Sequence, residues 1–116
     1  EIIRSLGTIM LERQGFTVFP AANGSECIEC FMKERNNINL LVLDLGLPDI
    51  HGREVLEKVR RINSEVAVII TTGHDFESDR KSFAELRADD YILKPFHVAD
   101  LVVAVRNVLD KNDNER

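Results

Sequence analysis

Short apolar runs and longer amphipathic stretches alternate along this chain. The runs are Phe16-Thr17-Val18-Phe19, Leu40-Leu41-Val42-Leu43, Val66-Ala67-Val68-Ile69-Ile70 and Tyr91-Ile92-Leu93. Each is followed within two residues by Pro, Asp or a Thr pair, the punctuation of a buried strand. Between the runs, apolar residues recur at three and four positions, which predicts helices. Ile2, Leu6, Ile9 and Met10 form one such set, and Cys27, Ile28, Phe31 and Met32 a second. Val55, Leu56, Val59 and Ile62 form a third, and Leu101, Val105, Val108 and Leu109 a last one. A weaker stretch from Phe76 to Leu86 offers only Phe83 and Leu86 as apolar members.

The turn residues agree with this division. Gly15 stops the first helix, Asn23-Gly24-Ser25 opens the second, and Asp49-Ile50-His51-Gly52 precedes the third. Val66–Ile70 is continuously apolar, which predicts a strand covered on both faces. The resulting order, α-β-α-β-α-β-α-β-α, predicts an α/β fold: a parallel sheet between two helical layers. A doubly wound sheet ordinarily begins with a strand, whereas this chain begins with a helix. Functional groups in such sheets collect at the carboxyl ends of the strands.

Composition narrows the class. The 116 residues suit one domain, and 44% hydrophobic content suits a chain with one buried core. No apolar run reaches the roughly 20 residues that span a bilayer, and the first residues do not read as a signal peptide. A formal charge of −5 gives no bulk attraction to nucleic-acid phosphates, so direct nucleic-acid binding is not expected. Two cysteines are too few for a disulfide framework, and a reducing, cytoplasmic setting is expected.

The residues that follow the apolar runs carry chemistry. Asp44 follows Leu43, Thr71-Thr72-Gly73 follow Ile70, and Lys94-Pro95-Phe96 follow Leu93. Three strands thus bring a carboxylate, a hydroxyl and an ammonium to one sheet edge. A carboxylate can attack a phosphoryl group to form an acyl phosphate. A cation and a hydrogen-bond donor then offset the charge on the phosphoryl oxygens, normally together with Mg²⁺.

With these residues in place, the sequence resembles the receiver domain of two-component response regulators, whose fold is flavodoxin-like. The resemblance rests on Leu41–Gly52, Val68–Gly73 and Asp90–Phe96, in that order, and runs from Ile2 to about Leu109. It implies that Asp44 is the phosphoacceptor and that the backbone carbonyl of Gly46 helps Asp44 to ligate Mg²⁺. Pro48 and Gly52 match turn residues that lead into the third helix. Thr72 would hydrogen-bond a phosphoryl oxygen, with Gly73 leaving room. Lys94 would pair with the phosphoryl group, the Lys94-Pro95 bond would be cis, and Tyr91 would be the aromatic switch. The donor would be a histidine kinase or a phosphotransfer protein, and the reader a downstream effector or a fused output domain. Homodimerisation through the fourth and fifth helices is a further family expectation. The domain is not expected to be an enzyme beyond its own phosphoryl transfer and dephosphorylation.

The resemblance also implies a gap. Receivers carry a Mg²⁺-binding acidic pair at the end of a first strand, and here that pair would fall just upstream of Glu1. The expected architecture is therefore a doubly wound sheet with four strands present, its central first strand missing, and five helices. Residues 1–110 would be an N-terminally truncated receiver, with Lys111–Arg116 a polar tail or the start of a linker. About five lost apolar residues at roughly 1.5–3 kcal/mol each would remove about 8–15 kcal/mol, which predicts weak Mg²⁺ binding and a loosened fold. The alternative is a natural loss, leaving an interaction module that does not depend on phosphate.

Other signals are weaker. Cys27-Ile28-Glu29-Cys30 has C-x-x-C spacing but no further ligands for zinc nearby, and core packing explains it. His51, His74 and His97 read as loop histidines. An aspartyl phosphohydrolase would place a second Asp where Gly46 stands. No nucleotide-binding motif occurs.

Overall fold

The computed structural model describes residues 2–45, 51–73 and 76–115. Its elements are α1 (Ile2–Arg13), α2 (Gly24–Glu34), β1 (Leu40–Asp44), α3 (Gly52–Ile62), β2 (Ala67–Thr72), α4 (Phe76–Phe83), a 3₁₀ turn (Ala84–Leu86), β3 (Asp90–Leu93) and α5 (Val98–Glu115). The strands form a parallel sheet in the order β1-β2-β3. Register pairs Leu40 with Ala67 through Asp44 with Thr71, and Ile69 with Asp90 through Thr72 with Leu93.

β2 is buried along its whole length, as its unbroken apolar run predicts. Successive side chains of a strand point to opposite faces, so this one strand serves two cores. Val68 and Ile70 join Leu43, Phe31, Phe83 and the Val55, Leu56 and Val59 stripe of α3. Ala67 and Ile69 join Leu101, Ala104, Val105 and Val108 of α5, with Leu11 and Phe16 at the margin. Helices thus cover both faces of the sheet, the doubly wound arrangement.

Helix ends follow local chemistry. α1 closes with Gly15 at φ 96°, a left-handed value that favours glycine. The Phe16 amide donates to the Leu11 carbonyl (3.1 Å) and the Gly15 amide to that of Glu12 (3.0 Å), a Schellman motif. At the start of α2, the Asn23 side chain accepts the Glu26 amide at 2.9 Å. His51 caps α3, its Nδ1 accepting the Arg53 amide at 3.1 Å.

Two expectations need correction. Among the described residues there are three strands rather than four, because Phe16–Phe19 is not a strand. Among the described residues β1 pairs with β2 and no strand lies beside this segment, and an unpaired extended segment has no strand hydrogen bonds to hold it. The weak stretch Phe76–Leu86 is α-helical only to Phe83, then tightens to one 3₁₀ turn closed by Arg87 in a left-handed conformation. α5 runs through Glu115, so the polar residues after Asp110 continue that helix as far as Glu115.

Candidate functional site

The carboxyl ends of the strands form the site. Asp44 is the last residue of β1, Thr72 the last of β2, and Lys94 the first after β3. β1 and β3 lie two strand spacings apart, about 9–10 Å, so a side chain linking them must reach over the end of β2. Lys94 does so: its Nζ donates to Asp44 Oδ1 at 2.6 Å. The two side chains are 39% and 47% exposed, so the pair lies open to solutes. Backbone bonds tie the same edge together. The Lys94 amide donates to the Thr72 carbonyl at 2.7 Å, and the Leu45 amide to the Thr71 carbonyl at 3.3 Å. The Lys94–Pro95 peptide is cis.

Thr72 stands apart from that pair in one respect. It lies within β2 rather than after it, and it is 1% exposed. Alternation places it on the face of Val68 and Ile70, whereas Asp44 is in register with Thr71. Tyr91 is in register with Ile70 and half-buried against the same core. Thr72 and Tyr91 therefore share a face, one strand apart. Gly46 and Pro48 lie outside the described residues, as does His74.

Gly52 gives the site its close floor. A Cβ there would fall 2.5 Å from Leu45 Cδ2 and 3.3 Å from Leu45 Cα. Leu45 directly follows Asp44, so the missing side chain lets α3 begin against the end of β1. The opposite end of β2 is held by Arg60. Its Nε donates to the Leu86 carbonyl (2.9 Å), Nη1 to that of Val66 (2.6 Å) and Nη2 to that of Arg87 (2.9 Å). Burial, then the nearby Arg87, lowers the Arg60 pKa. Asp89 closes this end, its Oδ2 accepting the Val68 amide at 2.8 Å. Sequence periodicity could not single out Arg60, because a charged residue in a last helical turn reads as solvated; the polar residue before Gly52 was the signal for the His51 cap.

Mg²⁺ is a hard cation that takes about six oxygen ligands and usually retains several waters. Asp44 offers one carboxylate, already bonded to Lys94. Among the described residues no group of three His, Cys, Asp or Glu side chains could hold a metal. These donors by themselves do not fit the ion.

Comparison with known proteins places the fold. The family model of the response regulator receiver domain matches residues 1–106. The alkaline phosphatase synthesis transcriptional regulatory protein SphR of Synechococcus elongatus is 33% identical over 98% of this chain and 47% of its own length. The probable transcriptional regulator ycf27 of Porphyridium aerugineum is 39% identical over 96% of this chain and 45% of its own. Among solved structures, a response regulator receiver domain protein from Clostridium thermocellum superimposes with a TM-score of 0.86 at 28% identity, covering 99% of this chain and 91% of that one. A CheY-like receiver protein from Methanospirillum hungatei gives 0.84 at 29% identity, over 99% and 90%. The chain belongs to the response regulator receiver domain family, the signalling module of two-component systems. It spans about half the length of the curated relatives it matches. Among the described residues no helix is long and apolar enough to cross a membrane.

Proposed function

We propose that this receiver domain takes a phosphoryl group on Asp44, with a phosphohistidine of a kinase or phosphotransfer protein as donor, and relays the change to a partner. The observation that carries the reading is the Lys94–Asp44 bond of 2.6 Å across the end of β2. An Asp44 carboxylate oxygen attacks phosphorus in line, the bond from phosphorus to the donor nitrogen breaks, and the donor imidazole leaves. Lys94 needs no large movement to shift from the carboxylate to a phosphoryl oxygen, where its charge offsets the added negative charge.

Thr72 and Tyr91 supply the switch in this reading. A rotation of the Thr72 hydroxyl towards the phosphoryl group would open room on the face that Tyr91 already borders, and Tyr91 would turn inward. The surface around β3, α4 and α5 then changes for an effector. Regulation of transcription is proposed only by analogy with relatives whose names state it.

Incubation with acetyl phosphate in excess Mg²⁺ is expected to add one phosphoryl group to the chain by intact mass. Asp44→Asn should add none, and equal labelling of that variant would remove Asp44 from the role. A phosphate-independent interaction module, binding partners without modification of Asp44, is the second reading. An unlabelled parent chain under these conditions supports it instead.

A further inference from the structure

Cys27 and Cys30 take no part in the phosphoryl chemistry. Both are free thiols of intermediate exposure. They stand three residues apart within α2, hence on one face of that helix. Cys27 packs against the core that contains Phe31, Val55 and Leu56. We propose that Cys27 and Cys30 form a dithiol chelate for a trivalent arsenical, held as a bridged bis-thiolate rather than as a disulfide or a zinc site.

Geometry separates these chemistries. A disulfide needs Cβ atoms roughly 3.5–4.5 Å apart, while helical neighbours at this spacing sit roughly 5–6 Å apart. A direct bond would pull α2 out of shape between its Asn23 cap and the buried Phe31. A single thiophilic atom, bonded to each sulfur at roughly the 2.3 Å of a zinc–thiolate bond, spans the gap without that distortion. Structural zinc needs four ligands, and no third ligand joins the pair among the described residues. Zinc also requires both thiols to lose their protons. Burial first, and Cys30 second, push the Cys27 thiol up to about 11, which opposes that loss.

An arsonous acid also takes both sulfurs without their protons, but its own hydroxyl groups carry those protons away as water. Two As–O bonds break and two As–S bonds form, the two thiol protons leave with the two hydroxyl groups as water, and arsenic stays trivalent. No oxidant enters and no net proton is released. Each sulfur attacks as its thiolate and the displaced hydroxide takes up the proton, so the exchange begins and ends with neutral groups.

Phenylarsine oxide is the probe. The chain should gain one phenylarsenic group by intact mass, both thiols should become silent to a thiol-reactive disulfide dye, and ethanedithiol should restore both. Cys30→Ser, which spares the residue packed on the core, should weaken capture roughly 10²–10⁴-fold, the gain an intramolecular second contact gives, with an unchanged far-ultraviolet spectrum. Capture by Cys30→Ser as tight as by the parent, an adduct that leaves one thiol reactive, or no adduct would each overturn the assignment.

Discussion

Gly52 and Cys27 show how single side chains set local limits. Gly52→Ala gains at most about 1 kcal/mol of helix propensity, but its new Cβ meets Leu45 at 2.5 Å. Overpacking of that kind costs roughly 1–3 kcal/mol. Urea denaturation should show a net loss, about 2 kcal/mol at most where the full helix gain is realised, and a stabilised variant would mean that Leu45 yields freely. Cys27 is read through pH. Its thiol rises from 9.0 to about 11 in the folded chain, so the unfolded chain loses that proton first as pH climbs. The Cys27 contribution is complete below about 9 and disappears towards 11. Parent stability should therefore fall more steeply than that of Cys27→Ala over that range, and parallel slopes would contradict the burial. At this scale the sequence was informative where chemistry is punctuated. Asp44 and Lys94 stand directly beside apolar runs, and they meet. Thr72 was also marked, but its place inside β2, on the Tyr91 face, depends on strand parity and length, which a continuous apolar run leaves open.

Among the elements, β2 and α3 were legible in advance, β2 as a continuous apolar run and α3 as an apolar stripe at helical spacing. β2 is buried throughout and the α3 stripe of Val55, Leu56 and Val59 is buried with it, so pattern and packing coincide. Phe16–Phe19 has strand-like composition but no strand, because pairing needs a neighbour's backbone and local preference cannot provide one. The α4 stretch, with two apolar residues as its signal, gave a short helix and a 3₁₀ turn. Its end is fastened from outside by Arg60, which bonds the carbonyls of Leu86 and Arg87 as well as that of Val66. Arg60→Met keeps much of the apolar stem and removes those bonds. Denaturant melts should report a loss of roughly 2–3 kcal/mol, and a change below about 0.5 kcal/mol, the range of an ordinary surface substitution, would show that the carbonyls are served equally well by water.

For the molecule as a whole, the radius of gyration is 13.2 Å, against about 13.4 Å expected for a domain of this length. The chain is thus packed as a folded unit around β2, which lies between β1 and β3 in the sheet. Native-state hydrogen exchange should find the β2 amides slowest and those of the short, partly exposed β3 faster; uniform protection across β2 and β3 would contradict a core centred on β2. Sheet class and helical cover on both faces were legible from alternation alone. The count of strands was not, because it depends on which backbones find partners.

The claim at the centre of this account is that Asp44 is where phosphate arrives. Borohydride reduction of the acetyl-phosphate-treated chain, followed by peptide sequencing in the mass spectrometer, reads the position of an acyl phosphate as homoserine. Homoserine at position 44 and nowhere else is the predicted result; conversion at another carboxylate, with Asp44 intact, would contradict it.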